Sequence, residues 1–463
     1  MNTAGVRRTL VAIGLAAALL ASWPVPAFPQ AKRGGVLTFA LYQEPETLNP
    51  YIATQTASFE VNVFTVEGLL GVGPDGEYFP LLAKEVPSRQ NGGVSGDGKT
   101  ITYHFKDGLK WSDGQPVTCD DVRFTWQAIV DPKSGASGTT GYRDIETVDC
   151  PSPSTVVVRY KTFYAPFLSR FDAIMPRHAA GDPAEMPRWA YNRKPVGTGP
   201  FTMLEWVSGD HITFIPNRYY REAGKPYLSA VIIRITPSRE VGKQLIKTGE
   251  IDVLWDLVES DVPELQPAAG VKISSAPSSF AERLVLNLAD PTLDGPPLDQ
   301  VEKNPHPILG DPRVREAIEL GINKQEIIDK LLFGSWASGA FRKHGHFDVV
   351  LYTTNPDVDP QSQVEGYFAS WSIPTAANSG AGFNYARWGN KTADENINLA
   401  KNSPDINARK KAYCAVMGEI VKDRPHIYLY DRSSIHAYRD RMQGWVTNVW
   451  DRLGWNAEDW SLR

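Results

Sequence analysis

An apolar run from Leu10 to Ala21, preceded by Arg7 and Arg8, decides where this chain has to fold. A helix that crosses a bilayer needs about 20 apolar residues, and this run falls well short. A basic start, a short apolar stretch and then small residues at Val25-Pro26-Ala27 form the pattern of a cleaved export signal. The reading is a signal peptide over residues 1–27, cut near Ala27, with Ala31 as a second candidate. The Arg pair leaves the Sec and twin-arginine routes both open. No Cys lies near the cut, so no lipid anchor is expected there. No later stretch is apolar over ~18 residues, so the mature chain is expected to fold in water, in an oxidising compartment without ATP.

A chain of 463 residues is too long for one small core and suits two or three linked sub-domains. The net charge of -5 and the absence of a basic stripe argue against a nucleic-acid surface. The aromatic set is generous, with 13 Trp, 18 Tyr and 18 Phe. Such residues pack cores, and some of them line ligand clefts. Of the 3 cysteines, Cys119 and Cys150 bracket a short loop. A bridge there stabilises by about 3–4 kcal/mol in the chain-entropy view and leaves Cys414 over. The alternative is three buried free thiols. No Cys-x-x-Cys or Cys/His pair has metal-ligand spacing, and no cofactor is expected.

Patterning gives strands at Val36 to Leu41, around Ile101, Tyr103 and Phe105, at Val156 to Val158, across Phe201 to Thr236, at Leu284 to Leu288, at Phe347 to Tyr352 and at Ile427 to Tyr430. Helical spacing appears over 58–70, from Asp120 to Val130, after Ser238 as far as Gly249, from Pro312 to Phe333 and from Asp405 to Lys422. Asp311 with Pro312, and Ser238 with Gly249, are start and stop signals of the expected kind. Helices and strands mix without simple alternation or repeat, which indicates an α/β protein of several sub-domains.

Two glycine motifs lack the setting that their chemistry needs. Gly93 to Thr100 fits G-x-x-x-x-G-K-T, but a loop precedes it and an alternating strand follows, where a phosphate site needs a strand and then a helix. Gly71 to Gly76 fits G-x-G-x-x-G, but Pro74-Asp75-Gly76 is a turn. His344 and His346 stand two apart in a loop, and no H-E-x-x-H exists. No G-x-S-x-G elbow exists either, so a secreted hydrolase, the rival reading, has no nucleophile to stand on. The chain is read as a non-enzyme.

The stretch Gly108 to Val122, with Trp111-Ser112-Asp113-Gly114 at its centre, resembles the signature of the family 5 extracellular solute-binding proteins of ABC importers. Pro80-Leu81-Leu82-Ala83, Gly96 to Thr100, Pro195 to Phe201, Gly249-Glu250-Ile251-Asp252 and Asp311 to Ala317 are similar to the family in the family's order. The resemblance implies a class II periplasmic-binding fold: two lobes, one discontinuous, plus an inserted sub-domain. Its boundaries would be 28–66, 195–283 and 428–463 for lobe I, 67–194 for the insertion and 284–427 for lobe II. It also implies a periplasmic monomer that captures a small peptide or peptide-like ligand between the lobes and delivers it to the permease subunits in the inner membrane, with no nucleic acid involved. By the same resemblance Asp357 would pair with the ligand's α-amine, and Asn287, Thr54 and Gln55 would face the cleft. Thr353-Thr354 stands where the family often has a Trp. Only Gly334 to His346 joins the 312 helix to the 347 strand, where the family has a much longer connection. Lobe II is therefore expected to be incomplete, with Ile318, Ile322, Leu331, Val349 and Leu351 poorly covered. The alternative function is a non-transporting remnant with an impaired ligand lobe.

Overall fold

The strand β1, Val36–Leu41, is an apolar run with every residue after Val36 buried or half-buried, as expected of a strand covered on both faces. It pairs in parallel with β9 (Ala230–Ile235) on one side and β10 (Val253–Leu257) on the other. The computed structural model describes residues 33–293, 303–323, 349–353 and 358–463, apart from 376, 379 and 451. The main sheet has the order β12-β11-β13-β10-β1-β9-β8-β7. Its remaining strands are β7 (Phe201–Val207), β8 (His211–Pro216), β11 (Val271–Leu286), β12 (Val349–Thr353) and β13 (His426–Arg439). Among the described residues, no helix is long and apolar enough to cross a membrane.

Two long strands tie the sheet together. β11 and β13 run antiparallel from Val271↔Arg439 to Val285↔His426. The register breaks midway: Pro277 pairs with Ser433 and Ala281 with Asp431, so three residues of β11 stand against one of β13. Pro277 has no N–H to give the ladder, which fits an irregularity at this point. Beyond the break, Glu282 to Leu286 also pairs with the edge strand β12. Before it, β13 pairs with β10. The two strands thus join a core built around Phe39, Phe64, Phe214 and Trp460 to a second one built around Val285, Phe368, Trp388 and Ile420.

A third core gathers Ile101, Tyr103, Trp111, Val122, Val158 and Tyr191 around a three-stranded sheet, β4 (Thr100–His104), β6 (Thr155–Tyr160) and β5 (Ile145–Ser152). The helix Cys119–Val130 packs on it, started by a capping box between Thr118 and Asp121. Asp121 is buried and accepts from Trp111 Nε1 at 3.3 Å, Thr118 N at 2.8 Å and Arg177 N at 2.9 Å. The backbone of Trp111 closes the turn made by Asp113-Gly114, with Gly114 N donating to Trp111 O at 2.8 Å, and Gly114 has φ +92, a conformation that disfavours a side chain. The signature stretch is therefore a structural knot. A disulfide joins Cys119 to Cys150 of β5, with the Cα atoms 5.6 Å apart, and leaves Cys414 as an exposed thiol.

Both glycine motifs are hairpin turns. Ser95 N donates to Thr100 O at 3.0 Å and Gly98 N to Ser95 O at 2.9 Å, closing the first. β2 (Leu70–Val72) and β3 (Tyr78–Pro80) flank the second. The helix expected over 58–70 covers only Thr56–Asn62. Thr65 Oγ1 donates to Asn62 O at 3.1 Å, and Gly68 lies so close to the backbone at Phe171 and Asp172 that a Cβ would sit 2.4 Å from it. The chain leaves the helix to make that contact. The helix expected over 312–333 covers Pro312–Gly321 and ends there, with Ile322 extended, and residues 324–333 lie outside the described residues. The strand expected at Ile427 to Tyr430 runs on to Arg439.

Of the side chains expected to be poorly covered in lobe II, Val349 is 43% exposed, while Ile318, Ile322 and Leu351 are partly buried. Leu331 lies outside the described residues. Leu320, on the same helix, is 79% exposed.

The bridge gives a first prediction. Cys119 and Cys150 are 31 residues apart, so Cys150→Ala should lower stability in urea by about 3–4 kcal/mol on the chain-entropy estimate. A loss below about 1 kcal/mol would mean that the bridge adds little to the helix–sheet packing around it.

Candidate functional site

All three cores contribute walls to one cavity of about 370 Å³. Pro50 and Tyr51 come from the loop after β1, and Phe59 and Asn62 from the helix that follows. Ser137, Gly138 and Arg170 come from the inserted region. Val358, Ser362 and Phe383 come from beyond β12, and Trp450, Trp455 and Glu458 from the C-terminal segment. The inserted region also touches the segment beyond β12. Gly382 N donates to Ser137 O at 3.0 Å, and Ala165 N to Lys401 O at 2.8 Å. Lys401 Nζ pairs with Asp144 at 3.0 Å, with both side chains largely shielded from water.

The polar groups of the cavity are desolvated. Tyr51 OH donates to Ala173 O at 2.5 Å and lies 3.2 Å from Tyr142 OH, which accepts from Phe171 N at 2.9 Å. Burial drives both phenols well above their usual range. Glu67 Oε1 takes the Arg221 guanidinium and, at 3.4 Å, Tyr220 OH. Its other oxygen, Oε2, is buried without a hydrogen-bond partner among the described residues. Burial pushes the Glu67 carboxyl up to about 7, against the pull of Arg221. Burial also pushes Glu458 up to about 7, opposed by its own backbone amide and by Arg221, while Asp459 and Glu222 add to the rise. Among the described residues there is no cluster of His, Cys, Asp or Glu that fits a metal ion.

The residues singled out from the sequence sit differently. Thr54 and Gln55 are half-buried beside the cavity and do not line it. Their backbone amides and Thr54 Oγ1 all donate to Glu46 Oε1, which holds the start of the Thr56–Asn62 helix, and Gln55 Oε1 is buried without a partner among the described residues. Asn287 is fully buried, accepts from Ala289 N at 3.1 Å and shapes the exit of β11 rather than the cavity. Asp357 lies outside the described residues, as do His344 and His346; its neighbour Val358 is on the cavity wall. Sequence reasoning missed Glu67 and Glu458. Glu67 carried a usable signal, since a lone carboxylate between Val66 and Leu69-Leu70 is an anomaly in an apolar run.

The raised carboxyls set a pH dependence. A carboxyl whose folded value lies above its unfolded one binds its proton more tightly when folded. Its penalty on stability is absent below the unfolded value of 4.5 and builds as pH rises to about 7. Glu458→Gln should therefore be more stable than the parent by on the order of 1–3 kcal/mol at pH above 7, with the difference vanishing near pH 4.5. Urea titrations across that range check it, and a constant difference would contradict the assignment.

Residues 77–373 match the profile of the bacterial extracellular solute-binding proteins, family 5 (middle). Over 293 residues the chain is 28% identical to Protein XP55 of Streptomyces lividans, covering 63% of this chain and 49% of that protein. Over 336 residues it is 24% identical to the glutathione-binding protein GsiB of Escherichia coli strain K12, covering 72% of this chain and 59% of that one. The aligned regions thus span about half of the first relative's length and less than two thirds of the second's. Among solved structures, the fold is similar to the oligopeptide-binding protein AppA of Bacillus subtilis in complex with a nonapeptide, with TM-score 0.80, 19% identity, and 94% of this chain and 100% of that chain covered. It is also similar to NikZ of Campylobacter jejuni in complex with Ni(L-His), with TM-score 0.78, 20% identity, and 92% and 99% covered. With a family profile over most of its length and that architecture, this chain belongs to the family 5 bacterial extracellular solute-binding proteins and has the class II periplasmic-binding fold.

Proposed function

We propose that the protein is the periplasmic substrate-binding component of an ABC importer, that it captures a small peptide-like solute between its lobes, and that it delivers the solute to the permease without covalent chemistry. The observation that carries this reading is the shared cavity: Tyr51 and Phe59 stand on one side, Val358 and Phe383 on the other, so a solute that fills it touches both lobes. Such a solute stabilises whichever arrangement brings both walls to it, and a permease that recognises that arrangement reads out occupancy. The broken register between Pro277 and Ala281, on one of the two strands joining the lobes, is a suitable place for them to bend. A cavity of about 370 Å³ is at the small end of ligand sites, which favours a di- or tripeptide-sized solute over a long peptide. GsiB is a glutathione-binding protein and AppA an oligopeptide-binding protein, which supports a non-enzymatic role.

The exposed Val349 and Leu320 favour a second reading, a remnant whose second lobe no longer holds a ligand. A thermal-shift series with di- and tripeptides separates the two. A binder gains about 2.7 kcal/mol of stability at a solute concentration of 100 times Kd, and a remnant gains nothing.

Asp357 is proposed as the anchor for the solute's ammonium group. Asp357→Asn keeps the shape and removes the charge, so the affinity of a binding peptide should fall by about tenfold or more, the equivalent of roughly 1.5–3 kcal/mol. Calorimetric titration measures this, and a change below about threefold removes Asp357 from the site.

A further inference from the structure

The cavity wall formed by Glu67 and Glu458 has one carboxylate too many. Glu67, Glu222, Glu458 and Asp459 lie close enough to influence one another, and the cations among them are Arg221, Lys225 and Lys106. Arg221 is spent on Glu67 and Glu222, and Lys225 on Glu222 and Asp459 at 3.0 and 2.6 Å. Glu458 makes no ion pair with a described residue, and Glu67 Oε2, on a side chain 8% exposed, has no hydrogen bond. Both residues line the cavity. The two other guanidiniums on its wall are committed elsewhere. Arg170 donates to Thr140 O at 2.8 Å and Ser169 Oγ at 2.9 Å and lies over the Tyr142 ring, and Arg452 lies over the Phe59 ring at 4.9 Å. Asp172, the remaining carboxylate on the wall, is exposed to water. A desolvated surplus negative charge is costly, and it is relieved by a proton or by a cation. Aromatic rings on the same wall, Trp455 packed edge-on to Phe79 at 6.1 Å among them, offer faces that attract a cation.

We propose that Glu67 and Glu458 form a subsite for a cationic head group, an ammonium or guanidinium, so that the captured solute is a basic peptide-like molecule rather than a neutral one. The inference rests on the solute-capture reading above and adds the chemical class of the cargo. The entering cation takes the place of the proton that the two carboxyls hold near neutrality. Binding is then coupled to proton release, and affinity for the cation rises with pH across the range where they titrate, near 7.

The test uses two tripeptides of the same length, Ala-Lys-Ala and Ala-norleucine-Ala, titrated calorimetrically into the full exported chain and into Glu458→Gln. Circular dichroism first establishes that the variant is folded. In the parent at pH about 8, the lysine peptide should bind at least about tenfold tighter. That ratio should fall below about threefold in Glu458→Gln, and in the parent it should shrink on going to pH about 6. Equal affinity for the two peptides in the parent overturns the subsite and leaves solute capture standing. A lysine preference that survives Glu458→Gln overturns it too. If the variant does not fold, the parent's pH series decides alone: a preference independent of pH overturns the subsite. If neither tripeptide binds at millimolar concentration, capture of tripeptide-sized solutes fails and the subsite falls with it.

Discussion

The antiparallel ladder between β11 and β13 is the constraint on which the other features depend. Each strand contributes at one end to the sheet that contains β1 and β10, and at the other to the short sheet edge that ends in β12. Backbone hydrogen bonds along that ladder fix how the two lobes face each other, and the bulge between Pro277 and Ala281 is the one large interruption in it. A two-stranded connection is stiff along the strands and soft to twist and bend, so the walls of the cavity are held in register while their separation can change. Gly382 to Ser137 and Lys401 to Asp144 add contacts beside the cavity that do not belong to the ladder.

Buried charge is handled in two ways in this molecule. In the first lobe, Lys243 is almost fully buried yet surrounded by Asp261 at 3.0 Å, Glu264 at 2.7 Å and Glu240 at 2.8 Å, which binds the helix Arg239–Thr248 to the turn that follows β10. Asp252, fully buried, accepts from Thr38 N at 3.0 Å and pairs with Arg441. These charges are compensated, and removing one partner would strand the other at a cost of about 3–5 kcal/mol. At the cavity the compensation is incomplete, since Glu67 and Glu458 share a neighbourhood with too few cations. Compensated charges hold a fold together, and a carboxyl such as Glu458, without an ion pair to a described residue beside the Arg221-bound Glu67 on a cavity wall, points to what the cavity takes in.

Much of this was readable in the sequence where one local rule decides the outcome. Ser238 accepts from Val241 N and Gly249 turns left-handed at φ +80, as their residue types require. Asp311 caps the helix that Pro312 begins, and the two glycine-rich strings are turns because their flanks alternate as strands do. What stayed hidden depends on partners far along the chain. β11 runs from Val271, yet Ser274, Ser275 and Pro277 conceal the strand, which exists because β13, more than 100 residues further along the chain, pairs with it. The helix expected over 58–70 stops at Asn62 because Gly68 must approach Phe171. The cavity was the least legible part, since Glu67 and Glu458 lie almost 400 residues apart and come to one wall only when the C-terminal segment folds back on the early part of the chain.

The central claim is that a solute bridges the two lobes, and the amides that tie the segment beyond β12 to the rest of the chain report on it most directly. Gly382 N donates to Ser137 O and Ala165 N to Lys401 O, each bond joining the inserted region to the segment beyond β12. Residue-resolved hydrogen exchange of the protein, with and without a bound tripeptide, measures how often those bonds open. The account predicts that exchange at Gly382 and Ala165 slows together when the solute binds, while amides in the middle of β1 and β10 are unchanged. Unaltered exchange at both positions with the solute demonstrably bound would contradict it.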